Sequence, residues 1–198
     1  MTYAPNQIQL KTHFYLLYQL VRSTLVFGFC QAVAAAQAGV YLISPFPGRI
    51  LDWHKKQTGV TCYAPMADPG VLAVQRMYQY FKKYNYNTIC MPASWRPSRG
   101  SDIPEAATDE ILALAGCDEM TIPPGLLERL MDSSDHVTRY CVPAAAAATC
   151  TDPNLPITEE IYRDFLAADG CVQDKLAEGI DAFTVETRKL EEILIARF

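Results

Sequence analysis

Short apolar runs at residues 24–27, 41–43, 88–91 and 120–122 are each followed by a Gly/Pro/Ser loop or a helical pattern, and this alternation constrains the chain more than any other feature. Runs this short and this apolar read as buried strands. Strands that alternate with helices argue for parallel βα units, because a parallel pair can only be joined by a crossover. The sequence therefore predicts an α/β protein with four parallel strands, followed by C-terminal helices.

The segments between the runs carry helix signals. Residues 29–38 are Ala-rich and stop at Gly39, a good C-terminal residue. Another helix begins after Gly48 with Ile50, Leu51 and Trp53. Residues 69–84 have Asp68 to cap them, Pro69 at the first helical position, and Val71, Val74, Met77, Tyr78 and Phe81 on one face. Residues 110–115 form a shorter helix ending at Gly116. Further on, residues 144–148 are a run of alanines, followed by a Pro-containing loop. Thr158 can cap a helix with Glu159 and Glu160 in its first turn. Residues 172–196 read as one long amphipathic helix. Its stripe of Leu176, Ile180, Phe183, Leu190 and Leu194 is expected to pack against the rest of the protein.

Composition excludes several function classes. The 198 residues fit one or two domains, and the net charge of −5 argues against nucleic acid as the main partner. A small phosphorylated ligand remains compatible, since it needs only a few placed cations. The seven cysteines are an odd number with no CxxC pair, which reads as reduced thiols in a cytoplasmic protein. His13, His54 and His136 lack metal-ligand spacing, and there is no P-loop or GxGxxG, so neither metal nor cofactor is expected. The apolar stretch 14–21 is far below the roughly 20 residues of a membrane span and lacks a cleavage signal, so no membrane association is expected.

Loops after the C-terminal ends of parallel strands are where α/β folds place their sites. Two such loops carry cations. The first runs Ser44-Pro45-Phe46-Pro47-Gly48-Arg49, with a hydroxyl, a glycine that permits close backbone approach, and a guanidinium fork suited to phosphate oxygens. The second is Ala93-Ser94-Trp95-Arg96. Arginines at the same end of neighbouring strands make a reasonable phosphate clamp, although an Arg in such a loop is as often a surface ion-pair partner.

These residues also carry a resemblance. LISPFPGRILDWHKKQTG resembles the sixth-strand motif of the transaldolases, and the similarity continues through YAPMADPGVLAVQRMYQYFKKYNY, ASWR, EILALAGCDEMTIPPGLLERL and DKLAEGIDAF. Upstream, TLVFGFCQAVAAAQAGV resembles the fifth strand and its helix. The family is a (β/α)8 TIM-type barrel of sugar-phosphate (pentose phosphate) metabolism, which transfers a dihydroxyacetone unit through a lysine Schiff base. The resemblance implies phosphate binding by Ser44, Arg49 and Arg96, with Thr24 and Phe46 lining the pocket. It implies a partial barrel, about the second half, over residues 24–198, preceded by a divergent segment at 1–23.

The departures bear on activity. The strands that carry the family's acid–base aspartate and glutamate have no counterpart, Arg22 stands where the family has an active-site Asn, and Gly28 replaces a Ser. Residues 97–109 are an insertion. The hydrophobic stretch ending in Lys11 resembles the end of the family's fourth strand, which makes Lys11 the Schiff-base candidate; the spacing from Lys11 to Phe27 is short for the family, and a solvated surface lysine is the alternative. Ordinary transaldolase turnover is expected to be weak or absent. A non-catalytic sugar-phosphate-binding relative and an enzyme of other chemistry on the remnant pocket are the alternatives. Open sheet edges must be covered, either by the N-terminal segment folding back as an edge strand or by self-association.

Overall fold

The computed structural model describes residues 21–197. Lys11 and most of the 1–23 segment lie outside the described residues.

Strand β1 (Arg22–Val26), strand β2 (Leu42–Pro45) and strand β3 (Ile89–Cys90) form a parallel sheet in sequential order. Register is set by Arg22 opposite Leu42 and Ser23 opposite Ile43, then by Leu42 opposite Ile89 and Ile43 opposite Cys90. Leu42 and Ile43 are buried on opposite faces of the central strand, as the apolar run requires.

The fourth run does not become a strand, so among the described residues the sheet has three strands and not the four expected. Glu119 and Thr121 do donate their N–H groups to the carbonyls of Cys90 and Pro92, at 3.4 and 3.1 Å. The return bonds of a parallel ladder would have to come from the N–H groups of residues 90 and 92. Pro92 has none, and the Cys90 N–H donates instead to Asp118 Oδ2 at 3.1 Å. The run docks along the sheet edge by one set of bonds only.

Helices α1 (Phe29–Gln37), α2 (Pro47–Thr58) and α3 (Pro69–Lys83) follow the expected segments closely. Helix α3 is the structural centre. Its predicted face is buried in full, with Val71, Val74, Met77, Tyr78 and Phe81 all at 0–1% exposure. Asp68 caps it, its side chain accepting from the N–H groups of Gly70 and Val71 at 2.7 and 3.2 Å. Asp68 Oδ2 also receives the Ser98 hydroxyl at 2.7 Å, so this fully buried carboxylate joins the helix start to the insertion. Burial pushes the Asp68 carboxyl above its usual range, and these donors oppose the shift.

Short helices α4 (Asp109–Ala113), α5 (Pro124–Asp132) and α6 (Pro143–Thr149) come next, the last formed by the alanine run. Thr158 caps α7 (Glu159–Ala168) through the Ile161 N–H. Helix α8 (Gly170–Ile195) is the long C-terminal helix. It docks through its first third: Val172 fills the space over Gly28, where an added Cβ would lie 2.3 Å from a Val172 methyl, and Trp53 Nε1 donates to Asp174 at 2.7 Å. The expectation that its whole stripe packs inward is corrected here. Ile180, Phe183, Leu190 and Leu194 are 47–56% exposed, because 26 residues span about 39 Å and carry the helix past the domain body.

The Asp68 cap generates a stability prediction. Asp68→Ala removes two cap bonds and strands a buried Ser98 hydroxyl, and is expected to lower unfolding free energy by about 2 kcal/mol in urea titration. Ser98→Ala alone should cost about half of that.

Candidate functional site

The C-terminal ends of β2 and β3 carry the predicted cationic loops. Ser44 is buried within the last residues of β2. Phe46 precedes α2 and sets its ring edge-on against Phe27, with centroids 5.8 Å apart. Arg49 lies in the first turn of α2, and Arg96 in the loop after β3. Thr24 is exposed on β1, and so is Arg22, which therefore does not crowd a tight pocket.

One close approach joins the two loops. Gly48 N–H donates to Ser94 O at 3.1 Å. A Cβ on Gly48 would fall 2.3 Å from that carbonyl and 2.6 Å from Arg96 Cγ, so the Arg96 side chain lies along the position that glycine leaves open. Ser94 itself has φ +65°, a left-handed conformation costing a non-glycine residue roughly 1–2 kcal/mol, which turns its carbonyl onto Gly48.

The loop after β3 is pinned at almost every residue. Trp95 Nε1 donates to Thr121 O at 2.7 Å. The Arg96 N–H donates to Glu110 Oε2 at 2.5 Å, and Arg96 Nε pairs with Asp52 of α2 at 3.0 Å. Lys55 reaches the Pro97 carbonyl, and Ser98 O accepts from the Tyr63 N–H. Beyond Ser98, Arg99 forks onto Asp109 with bonds of 2.8 and 2.9 Å. The insertion at 97–109 is thus a fixed part of the site wall. Sequence reasoning missed Asp52 and Glu110, which hold Arg96, and the bond from Ser98 that the cap residue Asp68 also accepts.

The start of α2 offers little free main chain to an anion. Pro47 has no N–H, Gly48 N–H goes to Ser94, and the N–H groups of Arg49 and Ile50 go to Phe46 O. An anion here would be held by side chains. The Arg49 guanidinium sits over the Phe27 and Phe46 rings at 5.5 and 5.9 Å, and its nearest carboxylate is Glu178 of α8 at 4.0 Å. Lys175 holds the same carboxylate at 2.8 Å and, with Arg49 and Lys56, keeps it below the usual range. Arg49 retains 24% side-chain exposure and Arg96 45%, so both remain within reach of a ligand. Groups of His, Cys, Asp or Glu able to hold a metal ion do not occur among the described residues.

Parallel βα units, with Arg49 and Arg96 in the segments that follow neighbouring strands, define an α/β protein. Residues 20–194 match the family described as Transaldolase/Fructose-6-phosphate aldolase, and the chain belongs to that family. It is 46% identical over 171 residues to "Transaldolase" of Shewanella sediminis, covering 86% of this chain and 49% of that protein. It is 44% identical over 174 residues to "Transaldolase 1" of Pectobacterium atrosepticum, covering 88% of this chain and 51% of that protein. The chain spans about half the length of the curated relatives it matches.

An anion bound at Arg49 would have to compete with Glu178. Glu178→Gln is expected to tighten binding of inorganic phosphate about two- to fivefold at low salt, the worth of one exposed ion pair, as measured by calorimetry.

Proposed function

We propose that this chain binds a sugar phosphate at the C-terminal ends of its strands, with Ser44, Arg49 and Arg96 holding the phosphate, and that it belongs to cytoplasmic sugar-phosphate metabolism of the pentose phosphate type. The observation that carries the reading is the Gly48–Ser94 contact, which brings the two arginine loops together on one side of the sheet. Membership of the family supports the ligand class. Phe46 lines the approach to Arg49, and Thr24 the adjoining face of β1.

The 198-residue chain by itself is proposed to have weak or absent transaldolase turnover. Schiff-base chemistry needs a nucleophilic lysine and positioned proton transfer as well as a held phosphate. Lys11 is the candidate amine. Among the described residues, Lys82 is tied to Asp118, Lys83 to the Cys150 and Asp152 carbonyls, and Lys175 to Glu178. A sugar-phosphate binder without turnover, or an enzyme of other chemistry on the same pocket, are the readings that a negative transfer assay would leave.

Self-association is the further part of the proposal, and the bare stripe of α8 favours it. Ile180, Phe183, Thr187, Leu190 and Leu194 follow the alternating three–four spacing of a coiled-coil seam. Antiparallel pairing with a second copy would set Ile180 against Leu190 and Phe183 against Thr187. Such pairing would cover the exposed apolar side chains on both copies.

Four measurements test these points. Arg49→Ala and Arg96→Ala should each weaken fructose 6-phosphate binding by tenfold or more, since a hydrogen bond to a charged group is worth ~1.5–3 kcal/mol; unchanged affinity in both would remove the phosphate reading. Transfer from fructose 6-phosphate to erythrose 4-phosphate should run at least ~10²-fold below that of a relative of full transaldolase length. Borohydride trapping followed by mass mapping should mark Lys11 if a Schiff base forms. Light scattering should give a dimer mass that falls to a monomer in Phe183→Asp/Leu190→Asp.

A further inference from the structure

Glu110 is a buried carboxyl that its hydrogen-bond partners leave half satisfied. It is 1% exposed, in the first turn of α4, at the back of the loop that carries Arg96. Oε2 accepts the Arg96 main-chain N–H, while Oε1 is buried with no hydrogen-bond partner among the described residues. The Arg96 guanidinium points elsewhere, with Nε on Asp52 and one terminal nitrogen donating to its own neighbour's carbonyl, Trp95 O, at 3.0 Å. Glu110 therefore hydrogen-bonds the backbone of Arg96 and not its guanidinium.

We propose that Glu110 is a positioning residue for the anion site: held as a neutral carboxylic acid, it fixes the Arg96 main chain so that the side chain runs past Gly48, without taking up the guanidinium that a phosphate would meet. The inference rests on the phosphate reading above. Three observations support it. An ionised carboxylate with one oxygen wholly unpartnered and no water access is strongly disfavoured, and protonation relieves it. The carboxyl faces two further acids, Asp52 on α2 and Asp68 at the start of α3, with Arg96 as the cation opposing them. Burial and these charges push it up to about 9, so the neutral form holds through the neutral range. A neutral acid accepts the N–H as well as an amide would, which makes Gln the faithful substitute and Leu the substitute of similar volume that cannot accept.

The pH dependence has a definite sign. The folded-state value lies above the unfolded one, so the contribution of Glu110 to stability is fully present below about 4.5 and is lost progressively as pH rises to about 9. The same ionisation places a negative charge behind Arg96 and weakens anion binding.

The test uses the full chain, with inorganic phosphate as probe, and compares Glu110→Gln with Glu110→Leu. Glu110→Gln should bind phosphate within about twofold of the unaltered chain at pH 7, and Glu110→Leu about tenfold more weakly. Between about pH 8 and about pH 9.5 the unaltered chain should lose phosphate affinity faster than Glu110→Gln, and it should lose stability relative to Glu110→Gln as pH rises. Amide exchange at Arg96 should stay slow in Glu110→Gln and become fast in Glu110→Leu. Equal phosphate affinity in the two variants, or slow Arg96 exchange in Glu110→Leu, would overturn the positioning role while leaving the phosphate reading intact. Absence of phosphate binding by the unaltered chain, with Arg96 exchange responding as expected, would overturn the phosphate reading and the functional role of Glu110 with it.

Discussion

The approach of Gly48 to the Ser94 carbonyl is the contact on which the rest of the site depends. It can form only because residue 48 has no side chain and Ser94 accepts a left-handed backbone. Two parallel strands place their following loops on the same side of the sheet but do not bring them into register with each other. The Gly48 bond does that, and it places Arg96 Cγ against the first turn of α2, one residue from Arg49. The strain at Ser94 is offset by the bonds that flank it, from Trp95 to Thr121 and from Arg96 to Glu110.

Carboxylates, more than cations, shape this end of the molecule. Asp52 steers the Arg96 side chain, Asp68 ties the insertion to the start of α3, Glu110 holds the Arg96 backbone, and Glu178 meets Arg49 from α8. Their burial sorts their roles. Asp68 and Glu110 are sealed and act through short hydrogen bonds, where the dielectric is low and an unpaired charge costs most. Asp52 and Glu178 are about half exposed, so their pairs with arginine are weak. This end of the molecule thus separates a rigid frame from loosely held ion pairs, which is what the proposed phosphate site would require.

Local signals are legible in the sequence where short-range physics governs. The Asp68–Pro69 start and the apolar face of α3 follow from capping and helical period, and both appear as read. The run at 120–122 reads as a strand and is not one, because apolar character says nothing about whether the partner can return its hydrogen bonds. Pro92 and Asp118 decide that, and neither belongs to the run. The cationic loops are legible as loops after strands, but the contacts by which carboxylates anchor them are not. Asp52, Asp68 and Glu110 come from three different helices and helix starts, and only the tertiary fold brings them to one loop. The stripe of α8 is legible as apolar, but its place in the core does not follow, since the spacing of apolar residues gives the direction of a face and not what stands opposite it.

The long helix and the first strand present one surface between them. Gly179 of α8 packs so closely on β1 that an added Cβ would lie 2.7 Å from a Leu25 methyl, and Val172 and Leu176 turn toward the same cluster of Phe27 and Ile50. At 100° per residue, Phe183, Leu190 and Leu194 fall on that same face of the helix, farther along its axis. The face that grips β1 is therefore the face left bare beyond it. Among the described residues β1 is an edge of the sheet, and edges of parallel sheets are normally covered. The edge of β1 asks for backbone hydrogen-bond partners, and the far part of α8 asks for apolar cover. One helix face links the two demands, but they are chemically distinct, and meeting one does not by itself meet the other.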